Sequence, residues 1–378
     1  MVIKNYSSIS VIPLCLIIAL TIAYGEIAKS KPKPAPDRQL AFKRAQSLNN
    51  GISISWLEQT WNHGILDSNE IKKTDYALLK KLGYKSIRLP VAFAYFETQH
   101  IPLEKVLAHV DEIVNQCSLY GFKLIIVYHY GNLNDTNYTA ETHKVSNLWC
   151  ILAKRYIHKS PDQLFFELYN EPPHMNPQIW KDAAYNMVTA IRKIDNARTL
   201  LIGASNFNSI YELSRFVRLA DENIIYTFHF YEPFFFTHQG AEWVGDQVST
   251  TGVPFPYNGE NFPALNPKAK NTWGETNYHQ YQRDGNEQSI KDKLQIVKSW
   301  ALKYDVPIIC SEYGVYNKYA DLDSRCRYIK AMHRQLKALN IPGIMWDYNS
   351  NFSIFSGKPS VNNLPACMQD AIGYVPVK

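Results

Sequence analysis

LFFELYNEPP, residues 164–173, is an apolar run that stops at a glutamate flanked by asparagine and proline. Residues 164–168 read as a strand buried on both faces. Seven further runs of that kind lie at 51–55, 86–90, 124–128, 199–203, 224–228, 307–311 and 343–346. Near-continuous apolar runs are the mark of parallel strands covered outside by helices and filled inside. Amphipathic stretches separate them. Residues 104–120 carry Val106, Val110, Ile113 and Val114 at helical spacing and stop before Gly121, while 176–195 and 289–304 read the same way. Strand–helix alternation repeated eight times predicts an α/β fold, a closed (β/α)8 TIM barrel forming a single domain. An open doubly wound sheet would place a GxGxxG turn after its first strand, and that pattern is absent. One connection, 231–283, lacks periodicity and is rich in aromatics, proline and glycine. It follows the sixth strand, so it belongs at the C-terminal face, where barrels of this kind build their sites.

The ends of the chain carry different signals. Lys4 precedes an apolar stretch from Val11 to Ala23, and Ala23-Tyr24-Gly25 offers small residues for cleavage. Residues 1–25 therefore read as a signal peptide, 26–37 as a proline-rich spacer and 38–378 as the catalytic domain. The apolar stretch is short for a membrane span, which needs about 20 residues. The expected location is secreted, extracellular or periplasmic. Formal net charge is +6 with no Lys/Arg run, which gives no support for nucleic-acid or membrane-surface binding and suits a neutral substrate. With Cys15 in the leader, five of the six cysteines remain. Two pairings are open, Cys117 with Cys150 and Cys326 with Cys367, and Cys310 reads as an inert buried thiol inside a strand.

Two glutamates end apolar strands on opposite sides of the expected barrel. Glu171 closes the fourth, and Glu312 closes the seventh in IICSEYG. Glycoside hydrolysis needs two such carboxyl groups flanking the scissile bond, one to protonate the leaving oxygen and one to attack or activate water. A carboxylate at a strand end is partly desolvated, which tunes both roles.

These segments resemble glycoside hydrolase family 5, the cellulase family, from about residue 48 to residue 350. That family carries eight recurrent active-site positions, and a matching residue stands at each: Arg88 in SIRLP, His129 in VYHY, Asn170 and Glu171 in Asn-Glu-Pro, His229 and Tyr231 in TFHFY, Glu312 in SEYG and Trp346 in IMWDY. The resemblance implies a retaining mechanism, with Glu171 as acid/base and Glu312 as nucleophile. Arg88 is expected to lower the pKa of Glu312 and hold it ionised, and Tyr231 to donate to the same carboxylate. Asn170 is expected to reach the sugar 2-hydroxyl, His229 to touch Glu171 or the sugar, His129 to bind a hydroxyl, and Trp346 to form the floor under the sugar. Further cleft candidates are Trp56, Glu58 and Trp61 after the first strand, Phe93 and Tyr95 after the second, Tyr130, and Asn206. In the long loop they are Phe234, Phe235, Phe236, His238, Gln239 and Trp243, where PFFFTHQGAEW resembles the loop of bacterial members.

The expected partner is a β-linked polysaccharide or oligosaccharide, met by a monomer without metal, cofactor or stable membrane partner. Cellulose or mixed β-glucan ranks first and mannan second, and the long loop suggests an open cleft and internal cleavage. A metal-dependent barrel hydrolase using His129, His229 and Asp347 would call for a His-x-His pair on the first strand, and GISISW lacks it. A non-catalytic sugar-binding barrel would not need both glutamates.

Overall fold

Side chains along β3 (Lys123–Tyr128) alternate between two surroundings. Ile125 and Val127 join Phe165, Leu201, Ile225, Ile309 and Ile344 in one buried cluster, while Leu124, Ile126 and Tyr128 pack among residues of the surrounding helices. The inner cluster draws on six strands, as the filled interior of a closed barrel requires. In this computed structural model, residues 36–375 are described, apart from 63 and 68–70. The signal peptide and most of the spacer lie outside the described residues.

The strands are β1 (Gly51–Ser53), β2 (Ser86–Val91), β3, β4 (Leu164–Glu167), β5 (Leu200–Ile202), β6 (Ile224–His229), β7 (Ile308–Glu312) and β8 (Ile344–Met345). Each pairs in parallel with its sequence neighbour, and β1 pairs with β8. A parallel bridge between Cys310 and Gly343 links β7 to β8 and closes the ring. Helices follow the strands in turn: α2 (Lys73–Lys81), α3 (Leu103–Tyr120), α4 (Tyr138–Arg155), α5 (Pro177–Arg192) and α6 (Ile210–Arg215), then α7 (Trp273–Asp284), α8 (Glu287–Tyr304), α9 (Leu322–Ala338) and α10 (Ala366–Ile372). Chain reversal after α3 uses Gly121 at φ 72°, a left-handed position that suits glycine.

Ahead of β1 stands α1 (Pro36–Ser47), which the sequence reading assigned partly to the spacer. The helix starts at Pro36, not 38, because proline suits a first helical turn. Ala45 and Leu48 enter the barrel-interior cluster from below. Arg44 donates to Asp162 at 2.8 Å, to the Ala197 carbonyl at 2.7 Å and to Thr199 at 2.9 Å. Those acceptors precede β4 and β5, so α1 seals the end of the barrel opposite the strand C-termini.

Two expectations are corrected. Cys117 and Cys150 are free thiols, the first buried in α3, the second beside the Ala190 carbonyl at 3.8 Å. The bridge is Cys326–Cys367, which ties α9 to α10. The 231–283 connection also ends in a regular helix, α7. Its middle is organised by buried Gln239, whose amide donates to Phe236 at 3.1 Å and Val253 at 3.0 Å and accepts from the Val253 N–H at 2.9 Å. Cys310 is a buried free thiol, in line with the sequence. Among the described residues, no helix is long and apolar enough to cross a membrane.

Candidate active site

The cleft grows from one buried cation. Arg88 sits on β2 in register with Ile125, so its side chain points into the barrel, fully buried. Its guanidinium donates to both oxygens of Glu167, at 2.7 and 2.8 Å, to Oε1 of Glu312 at 2.6 Å and to Oδ1 of Asn170 at 2.7 Å. A planar fork with five donors satisfies such a set, where an ammonium could not. Glu167, the last residue of β4, is the partner the sequence reading missed. A charged residue inside an otherwise apolar run was the available signal.

Glu312 ends β7 and is 4% exposed. Its Oε2 accepts from the Tyr231 hydroxyl at 2.8 Å and lies 3.4 Å from Nδ1 of His229. Burial pushes the Glu312 carboxyl above its ordinary pKa, and Glu171 adds to this, while His229, Arg88 and Tyr231 pull it down. Arg88 lowers the Glu312 pKa as expected, but closing the group off from water outweighs the cation and the net direction is up. Glu171 keeps 34% of its side chain exposed, and its Oε1 lies 2.7 Å from Nδ1 of His229. Burial lowers the His229 pKa, but the Glu312 and Glu171 carboxylates outweigh it, and the net direction is up.

One donor atom from each of Glu171, His229 and Glu312 lies within 4.8 Å of the others. Three such atoms could ligate a cation, but Arg88 at 2.6 Å from Glu312 already supplies positive charge there and would repel one. His129, named in the metal alternative, is not in that group. It stacks on Trp346 with ring centroids 5.8 Å apart and planes 3° from parallel. Burial, then Arg88 and His229, hold its pKa well below the ordinary value, so the ring is neutral.

All eight sequence-predicted positions thus converge on the strand C-termini. A cleft of about 600 Å³ opens over them, lined also by Glu58, Trp61, Tyr130, His238 and Trp243. Trp61 and Trp243 are 61% and 58% exposed, free to offer ring faces. Other aromatic candidates serve the core. Trp56 is buried and donates to the Ile65 carbonyl at 3.1 Å, and Phe93, Phe235 and Phe236 are buried. The Asn206 N–H is held at 3.0 Å by the Pro173 carbonyl. Besides Glu167, the sequence reading gave no role to Asn208, which is fully buried and donates to Thr227 at 3.0 Å and to the Asn170 carbonyl at 3.4 Å. Asp347 follows Trp346 and accepts from Ser55 and from the Ser350 N–H.

Two glutamates this close across a cleft, on a (β/α)8 barrel, define a glycoside hydrolase of the two-carboxyl kind. The chain belongs to glycosyl hydrolase family 5, the cellulase family, whose model matches residues 47–352. Endoglucanase 3 of Fibrobacter succinogenes is 30% identical over 351 residues, covering 86% of this chain and 53% of that protein. The chain thus spans about half the length of that relative. Endoglucanase C of Acetivibrio thermocellus is 30% identical over 307 residues, covering 76% of this chain and 86% of its own length. An endoglucanase structure from the hyperthermophilic Thermotoga maritima superposes with a TM-score of 0.72 at 24% identity, covering 88% and 99% of the two chains. That enzyme has also been solved with cellobiose and with mannotriose.

Proposed function

We propose that this glycoside hydrolase is an endo-β-1,4-glucanase that cleaves internal bonds of cellulose or related β-glucans by double displacement. The observation that carries the reading is the Glu171–His229–Glu312 group, with one atom of each within 4.8 Å of the others at the floor of an open cleft. Retaining enzymes need carboxyl groups about 5–5.5 Å apart, whereas inverting ones leave room for a water. Exposure divides the roles. Glu171 reaches solvent and gives its proton to the leaving sugar oxygen. Glu312, buried and gripped by Arg88 and Tyr231, attacks the anomeric carbon as the C–O bond breaks. Glu171 then takes a proton from water, whose oxygen displaces Glu312. Asn170, oriented by Arg88, meets the 2-hydroxyl, His229 steers Glu171, and Trp346 with His129 walls the sugar.

The test is a polysaccharide screen scored by product length, run beside Glu312→Ala. Mixed-length products from β-1,4-glucan, retention of the β anomer in fresh product by NMR, and loss of turnover in the variant are expected. An α anomer would overturn the mechanism. Mannan is the second substrate, because the similar Thermotoga enzyme has been solved with mannotriose as well as cellobiose. Export is part of the proposal and rests on Lys4 and the apolar stretch from Val11 to Ala23. Action as a monomer is part of the same proposal.

A further inference from the structure

Tyr128 is the last residue of β3, and its ring packs outside the barrel among side chains of the surrounding helices. It is 1% exposed. Its hydroxyl is buried and meets no hydrogen-bond partner among the described residues. The neighbouring Tyr169, with its ring 5.3 Å away, makes the contrast: that hydroxyl accepts from the Leu133 N–H at 3.1 Å. A buried hydroxyl without a partner is costly, and folded proteins keep few of them.

Tyr128 also lines a cavity of about 260 Å³ enclosed by the helical turn at Phe93–Thr98, α3 and α4. Phe93, Phe96, Ile101, Val106 and Leu148 supply apolar wall around it. Its charged lining is Glu97 and Lys144, which pair with each other at 2.5 Å and keep 63% and 37% of their side chains exposed. Each neutralises the other, so the entrance favours neither sign of charge. Protein interiors leave few gaps larger than a water molecule. An apolar cavity of about 150 Å³ is enough to take up a benzene ring. This one has room for a single ring with a short tail.

The lining decides the chemistry of the occupant. A sugar would bring several hydroxyls to apolar walls, and most would lose water without finding a partner. An ion would be buried beside a pair that is already neutral. An aliphatic chain would leave the Tyr128 hydroxyl as it is. A ring with one hydroxyl meets every condition. Its faces and edges pack on Phe93 and Phe96, and its hydroxyl can donate to Tyr128 or accept from it. We propose that this cavity is a binding site for a small uncharged phenol, held by a hydrogen bond to Tyr128. The site is separate from the catalytic cleft, since the two share no lining residue.

The experiment titrates 4-propylphenol and propylbenzene into the wild type, Tyr128→Phe and Leu148→Trp by calorimetry at pH 7, with melting temperatures alongside. A phenol of about ten heavy atoms should bind the wild type with a Kd of about 0.1 mM and raise its melting temperature. Tyr128→Phe removes the hydroxyl and keeps the cavity, so it should weaken 4-propylphenol about fivefold and leave propylbenzene no weaker than before. Leu148→Trp fills the cavity and should abolish binding of both. Tyr128→Phe keeps the ring in place, so the test stands even where Leu148→Trp does not fold. Excess cellotetraose should leave the phenol bound. No binding at concentrations well above the expected Kd overturns the inference. So does an affinity for 4-propylphenol that Tyr128→Phe leaves unchanged, or a phenol that cellotetraose displaces.

Discussion

Replacing Arg88 with methionine removes the one buried guanidinium from the floor of the cleft and leaves its volume roughly filled. The wild-type side chain makes four hydrogen bonds, two to Glu167 and one each to Glu312 and Asn170. Breaking a buried ion pair from one side costs about 3–5 kcal/mol, because the remaining charge is left without compensation. At about 2.1 cal/mol/K per residue, a chain of 378 residues carries an unfolding entropy near 0.8 kcal/mol/K. The melting temperature should therefore fall by about 4–6 °C at pH 7. The loss should shrink in acid. Glu312 already has a raised folded pKa, and losing Arg88 raises it further. A group raised in this way destabilises the fold at pH values above its folded pKa and ceases to do so below its unfolded pKa, so the variant should approach the wild type near pH 4. The same change moves the acid limb of the kcat/KM profile upward by about one to two pH units, since a charged hydrogen bond of about 1.5–3 kcal/mol is lost. Calorimetry at pH 4 and pH 7 beside a pH–rate profile reads both effects. A melting temperature and an acid limb that both stay put would refute the central place given to this cation.

Glu171→Ala should cut turnover of substrates with poor leaving groups by about 100-fold or more and spare activated aryl glycosides, since only the former need a proton; equal losses on both would contradict the acid role. Tyr231→Phe removes the donor 2.8 Å from Glu312 and should lower kcat about tenfold while shifting its acid limb upward, as read from initial rates across pH. Cys326→Ser opens a loop spanning 41 residues and should cost about 2–4 kcal/mol, seen as a melting temperature about 3–5 °C lower with kcat unchanged.

The strands were legible because both of their faces are buried, so apolar runs mark them without an alternation to decode. Their ends were less so. The first was read to residue 55, yet the ladder stops at Ser53 while Ile54 and Ser55 stay fully buried. Burial outlasts the strand there: the Ile54 N–H still donates to the Arg88 carbonyl at 2.9 Å, but the pairing goes no further, and composition reports only burial. Helix α1 escaped notice because a proline-rich tract runs straight into Pro36, and proline serves equally as spacer and as first helical residue. Helix α7 escaped because few of its residues, Gly274 and Tyr281 among them, are buried, which leaves almost no periodic signal. The eight site positions could be placed because seven of them end a strand or follow one within four residues, and the eighth, Arg88, is a lone charge inside a strand run. Glu167 carried a signal, a charge inside an apolar run, but its meaning depends on Arg88 two strands away in the sheet, a partner the run itself does not name.

Helix α1 separates two kinds of tolerance. Its residues and Leu48 just after it cork the far mouth of the barrel, remote from any sugar, so changes at Arg44, Ala45 and Leu48 should alter how long the enzyme lasts and leave what it cuts untouched. Anyone trimming this chain for expression has a natural limit at Pro36. Cutting beyond it would uncork the barrel while sparing every group that touches the polysaccharide.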